Sequence, residues 1–142
     1  MEAICNFKRI EKKYILSERQ YEDLFQRIGS YLRPDEYGRS TVMSLYLDTP
    51  SHRIIRNSIE AVDYKEKLRL RSYGTAAADS TVFLELKKKF RGVVYKRRVA
   101  MKLSQAQEYL WQGDKPFESQ IMSEIDWAMN LYHRPKPAMM II

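Results

Sequence analysis

The stretch "DYKEKLRLRSYG", residues 63–74, decides how the rest of the chain is read. Every second residue from 65 to 71 is a cation (Lys65, Lys67, Arg69, Arg71), and Leu68 and Leu70 stand between them. A repeat of two is the side-chain period of a β-strand, so one face of this segment carries charge and the other is apolar. The pattern recurs as Arg9, Glu11 and Lys13 in "FKRIEKKYIL" (7–16), as Glu85, Lys87 and Lys89 in "TVFLELKKKF" (81–90), and as Lys96 and Arg98 in "VVYKRRVAMKL" (93–103). The alternate positions hold Val82, Leu84 and Leu86 with Lys88, and Tyr95, Arg97 and Val99. One basic strand is ordinarily the solvated face of a half-buried sheet. Four such strands with largely apolar backs predict instead that the backs pack under helices and the cationic faces gather on the other side of one sheet.

The remaining elements fit that plan. Ser17 reads as an N-cap with Gln20 three residues on, and Tyr21, Leu24, Phe25, Ile28 and Leu32 mark one helical face until Pro34. "TVMSLYLDT" (41–49) reads as a strand ended by Asp48, Thr49 and Pro50, with a short helical piece in "SHRIIRN" (51–57). Arg91-Gly92 predicts a two-residue hairpin turn, because glycine takes positive φ at little cost. Helices are expected from Ser104 to Trp111 and from about Phe117 to Tyr132, the second with Ile121, Ile125, Ala128, Met129 and Tyr132 inward. The final "RPKPAMMII" reads as a strand cut short. The expected fold class is α+β: an antiparallel sheet curling into an incomplete, tunnel-like barrel with flanking helices. The expected organisation is a single domain over 1–142, truncated at its C-terminal end.

Composition bounds the function. Lys and Arg total 25 against 18 Asp and Glu, a formal charge of +7, which favours anionic partners. One cysteine, Cys5, excludes an internal disulfide framework and a Cys-rich zinc site, and His52 and His133 are too far apart in sequence to suggest a metal pair. A reducing, cytoplasmic location is expected, and no segment reads as a signal peptide or membrane span. There is no Gly-rich phosphate loop and no Ser-His-Asp set. Asp48 reads as a turn or cap residue, the two histidines as surface or helix-end residues, and Trp111 and Trp127 as packing residues of the late helices.

Like charges gathered on one face are costly unless an anion neutralises them. Glu11 and Glu85, in the same register, could offset part of that charge or hold a divalent metal that bridges phosphate oxygens. Arg suits bidentate contact with phosphate and Lys supplies a mobile point charge. A linear polyphosphate or nucleoside triphosphate fits this face better than duplex nucleic acid, which calls for an exposed helix or ribbon. The tyrosines form no base-stacking stripe, so nucleic acid is not an expected partner.

"RIEKKYIL", "SLYLDT", "KLRLRSYG", "FLELKKK" and "VYKRRV", in this order, resemble the VTC domain of polyphosphate polymerases, a branch of the triphosphate tunnel metalloenzyme superfamily. The resemblance implies a β-barrel tunnel whose basic residues bind polyphosphate and the phosphates of ATP or another nucleoside triphosphate. It further implies a divalent metal, Mn²⁺ or Mg²⁺, that assists phosphoryl transfer. Carried over residue by residue, it assigns this work to Lys13, Arg69, Arg71, Lys87 and Lys96. Arg9, Lys67 and Arg98 join as substrate-binding residues from the periodicity, and Glu11 and Glu85 as the metal-side carboxylates. The first strand shows Arg9, Glu11 and Lys13 where the cyclase and triphosphatase branches carry a glutamate-x-glutamate-x-lysine pattern, which favours the polymerase branch. Family members continue with further strands, so either a longer domain or a partner chain, as in a dimer, is expected to complete the sheet. A polyphosphate- or inositol-phosphate-binding module without turnover is the alternative.

Overall fold

The structure is a computed structural model that describes residues 6–9, 13–33, 36, 40–61 and 63–142. It divides into two compact units, residues 1–10 with 41–142 and residues 11–40.

The larger unit is built on one antiparallel sheet. Its strands are β1 (Asn6–Arg9), β2 (Val42–Asp48), β3 (Tyr64–Tyr73), β4 (Thr81–Phe90), β5 (Val93–Lys102) and β6 (Lys136–Ile141). Their order in the sheet is β1-β5-β4-β3-β2-β6, so the sheet is open, with β1 and β6 at its two edges. The three strands read most directly from the charge alternation, β3, β4 and β5, are adjacent and form a meander. The expected hairpin turn is present: Arg91 and Gly92 have φ of 45° and 84°, the double positive φ of a two-residue turn matched to strand twist.

The apolar faces do what the alternation predicts. Leu68, Leu70, Val82, Leu84, Leu86, Val99 and Met101 are buried in one cluster with Ala106, Tyr109, Leu110, Met122, Ile125, Ala128 and Met129. The latter set comes from α3 (Leu103–Trp111) and α4 (Gln120–Leu131). At about 25 cal/mol per Å² of apolar area removed from water, each fully buried Leu or Ile stabilises by roughly 1.5–3 kcal/mol. Ser119 caps α4 by accepting from the Met122 N–H at 3.1 Å. After α4, His133 and Arg134 both have positive φ, and the turn is tied back by Arg134, whose guanidinium donates to Asp126 Oδ1 at 2.8 Å and to the Tyr109 carbonyl at 2.8 Å.

Asp48 is a cap, as its place before Thr-Pro suggested. Its carboxylate is buried and accepts from the backbone N–H groups of Thr49 (2.7 Å), Ile54 (2.9 Å) and Ile55 (3.0 Å), closing the N-terminus of α2 (Arg53–Glu60). His52 lies at that helix end, as expected, with φ 55°. The tryptophans differ from expectation: Trp111 and Trp127 are 62% and 61% exposed, and each lies under an ammonium group, Lys136 and Lys88 respectively. The buried positions are filled by Ala106, Tyr109 and Leu110 on α3 and by Met122, Ile125, Ala128 and Met129 on α4, which leaves the two indoles outside.

The smaller unit carries α1 (Glu18–Ile28). Ser17 and Gln20 form the capping box read from the sequence: Ser17 Oγ accepts from the Gln20 N–H at 3.3 Å and Gln20 Oε1 from the Ser17 N–H at 2.9 Å. The α-helix ends at Ile28, passing into a 3₁₀ turn over Gly29–Tyr31 before Pro34 is reached. None of its residues is buried.

Among the described residues no helix is long and apolar enough to cross a membrane.

Candidate anion site

The register of the sheet places the basic residues in rungs. Lys67 pairs with Lys87 and Lys87 with Lys96, three lysines abreast on β3, β4 and β5. The next rung runs Tyr46, Arg69, Glu85, Arg98 across β2 to β5, and the one after it Ser44, Arg71, Phe83, Ala100. Like charges directly opposite one another destabilise a sheet, so this face needs a compensating negative charge.

Part of it is built in. Glu85 is fully buried. Its Oε2 accepts from Arg69 Nε at 2.7 Å, and its Oε1 from Arg98 Nε at 2.7 Å and Lys96 Nζ at 2.8 Å, with Arg98 NH2 at 2.5 Å from the same oxygen. Burial alone would raise the carboxyl's pKa, but the hydrogen bond from Lys96 and the charges and hydrogen bonds of Arg69 and Arg98 outweigh it and hold it at about 2. Breaking such a buried cluster by removing the Glu85 carboxylate costs on the order of 3–5 kcal/mol, because cations lose their counter-charge. Lys96 shows the opposing effect: burial and the neighbouring arginines lower its pKa while Glu85 raises it, and the net direction is down.

Aromatic and hydroxyl groups complete the surroundings. Arg69 NH1 donates to Tyr46 Oη at 3.2 Å, and Arg71 Nε lies 3.4 Å from Ser44 Oγ. Arg98 NH2 donates to Tyr73 Oη at 3.0 Å, and its guanidinium lies over the Phe83 ring at 4.4 Å. Burial pushes the Tyr73 phenol up, but Arg98 and Arg71 beside it bring its pKa below the ordinary value. Tyr73, Phe83 and Ser44 were missed in the sequence, although the same alternation contains them: Tyr73 continues the series 65, 67, 69, 71, and Phe83 precedes Glu85 by two.

The structure therefore brings together Lys67, Arg69, Arg71, Glu85, Lys87, Lys96 and Arg98, all on one face by register. Lys65 and Lys89 form the rung beyond the lysines. Arg9 belongs to β1, where its backbone pairs with Val94. The expected strand over 7–16 is a strand over Asn6–Arg9, while residues 13–17 have no regular secondary structure. Lys13 is exposed and belongs to the smaller unit, so the strand alternation that grouped it with Arg9 does not reach it. Glu11 lies outside the described residues.

On the opposite face Glu66 is buried among Tyr64 Oη, Tyr132 Oη (2.5 Å) and Lys88 Nζ (3.4 Å). Burial and the Glu66 charge raise both phenols above their ordinary range. Lys88 thus points away from the basic face, as its place in the alternation required.

An open antiparallel sheet with helices on one face and a cation-rich, internally braced face on the other defines an α+β domain whose basic face is suited to anionic ligands. The VTC domain family matches residues 8–135, and the chain belongs to that family. No curated protein matches the sequence. Among solved structures, that of a candidate adenylate cyclase from Bacillus halodurans is similar at 14% identity and a TM-score of 0.49, covering 96% of this chain and 61% of its own. The chain thus spans about three fifths of the length of that protein.

The described residues fit an anion better than a divalent cation. Among them no group of three His, Cys, Asp or Glu side chains could hold a metal ion. Among the described residues the face carries one carboxylate, Glu85, and both of its oxygens are already given to cations. Mg²⁺ and Mn²⁺ favour several oxygen ligands around one centre, which these donors do not supply.

Proposed function

We propose that this chain is a polyphosphate-polymerase-like domain whose basic face binds the phosphates of a polyphosphate chain and of ATP or another nucleoside triphosphate. The observation that carries the reading is the juxtaposition of the Lys67-Lys87-Lys96 rung with Arg69, Arg71 and Arg98 on adjacent strands. A linear polyphosphate has one negative charge or more per phosphorus, and successive rungs about 7 Å apart on the same face offer it repeated cationic contacts.

In the reaction this implies, a terminal phosphate oxygen of the growing chain attacks the γ-phosphorus of the nucleotide. The bond from that phosphorus to the β-phosphate bridging oxygen breaks, and nucleoside diphosphate leaves with the bonding pair. No protein nucleophile is needed; the arginines and lysines align the two phosphate chains and stabilise charge on the transferring group. Arg69, Arg71, Lys87 and Lys96 are the residues proposed to do this, with Lys67, Arg98 and Arg9 extending the contact and Lys13 assigned by the resemblance alone. Mn²⁺ or Mg²⁺ belongs in the assay because the family goes with a divalent metal, although the described donors assign it no seat.

The test is a melting experiment with polyphosphate, with ATP plus Mn²⁺, and with RNA, followed by transfer of labelled γ-phosphate from ATP to polymer. Binding to the native state raises the midpoint. A rise with polyphosphate and ATP but not RNA, together with labelled polymer, supports the reading. A rise with polyphosphate but no labelled polymer supports the binding-module alternative, and a rise with RNA alone overturns both.

A further inference from the structure

The Glu85 carboxylate occupies the centre of the basic face and yet contributes no open coordination position. We propose that Glu85 is a positioning residue for the anion site and not a ligand of a divalent cation. This rests on the reading of the face as a phosphate site.

The geometry assigns the role. Oε2 fixes Arg69 and Oε1 fixes both Arg98 and Lys96, at 2.7–2.8 Å for their closest described donors on each side chain's Nε or Nζ. Those three side chains come from the two strands flanking β4: Arg69 and Arg98 from Glu85's own rung and Lys96 from the adjoining lysine row. A divalent cation binding Glu85 at about 2.0–2.6 Å would have to displace these donors and would then face the cations it had released. That substitution replaces attraction by repulsion in a buried place, where charge interactions are least screened.

Positioning has a definite benefit for anion binding. Arg and Lys lose rotamer freedom when they grip a ligand, and that loss weakens binding. Side chains already held by Glu85, with Arg69 steadied by Tyr46 and Arg98 by Tyr73 and Phe83, have given up that freedom on folding. The cluster also keeps like charges together before any anion arrives.

Two simpler roles predict different outcomes. If Glu85 were only a counter-charge, removing it would strengthen anion binding, since the face becomes more positive. If Glu85 were a metal ligand, removing it would abolish metal binding and leave metal-free phosphate binding unchanged. Positioning predicts weaker phosphate binding without metal, and metal binding unaffected.

The experiment is calorimetric titration of the protein and its Glu85→Gln and Glu85→Asp variants with sodium tripolyphosphate in EDTA, and separately with Mn²⁺. The expected result is a loss of roughly tenfold or more in tripolyphosphate affinity for Glu85→Gln, with Glu85→Asp restoring part of it because the charge is kept at shorter reach. Mn²⁺ affinity is expected to be the same in all three proteins. Equal or tighter tripolyphosphate binding by Glu85→Gln, or loss of Mn²⁺ binding in that variant, overturns the proposal. Should Glu85→Gln not fold, the comparison of Glu85→Asp with the parent decides, since unchanged tripolyphosphate affinity there overturns it too. Failure of the parent protein to bind tripolyphosphate at all would instead remove the phosphate reading and this inference with it.

Discussion

Arg69 and Arg98 face each other across one carboxylate, each with its Nε 2.7 Å from a different oxygen of Glu85. The two arginines sit on β3 and β5, so the central strand is braced from both sides by its neighbours' side chains as well as by the backbone ladder.

That brace makes stability depend on acid pH. The Glu85 carboxyl falls from the ordinary 4.5 to about 2 in the folded state, so its contribution is fully present above about pH 4.5 and is lost as pH falls through 2. The difference amounts to about 3 kcal/mol at most. Denaturant melts between pH 5 and pH 2 should show this decline, and Glu85→Gln should flatten it while lowering stability at neutral pH. A decline of equal size in the variant would assign the effect to other carboxylates.

Replacing Arg69 and Arg71 together with Ala should remove the polyphosphate-induced rise in melting midpoint. Arg69→Ala alone leaves Glu85 with Lys96 and Arg98, so its cost to stability is expected to be about 2 kcal/mol, below that of losing the carboxylate. Arg71, held more loosely at 3.4 Å from Ser44 Oγ, should cost little. Circular dichroism and the midpoint without ligand check the fold. A full polyphosphate shift in the double variant would count against the site.

Asp48→Ala should destabilise by about 2 kcal/mol, since three backbone N–H groups lose their acceptor. Asp48→Asn should cost less, because one side-chain oxygen remains. Hydrogen exchange at Ile54 and Ile55 is the local readout, with both amides expected to lose protection in the Ala variant.

On the helix-covered face, Tyr132→Phe withdraws one donor from buried Glu66 and is expected to cost about 1–2 kcal/mol in urea denaturation. Polyphosphate affinity should not change, since Glu66 is on the other side of the sheet. A shift in affinity would mean that the two faces are coupled.

How far the site was legible follows from where its chemistry repeats. Alternation of charge with leucine placed β3, β4 and β5 within a residue of their observed ends and put Lys67, Arg69, Arg71, Lys87, Lys96 and Arg98 on one face. The Ser17-Gln20 box and the Arg91-Gly92 turn were legible because each is a local geometry with a local sequence signature. Trp111 and Trp127 were misread because amphipathic spacing says which residues share a face, not where a crowded core stops needing side chains. Lys13 was grouped with Arg9 by carrying the alternation through residues 10–12, whereas its own segment has no regular secondary structure. Glu85 was placed correctly in register, but its three-way partnership depends on side-chain reach between strands, which no spacing within one strand encodes.

The Arg-Glu-Arg rung is made by three consecutive strands, and its central hairpin turns on only two residues. Short chain separations close quickly, so the repelling lysines are expected to meet early in folding, before α4 closes over the other face. Multivalent anions should therefore act on the kinetics as well as the equilibrium. Refolding is expected to run faster in phosphate than in chloride at matched ionic strength, with the gain concentrated in the folding rate and little change in unfolding.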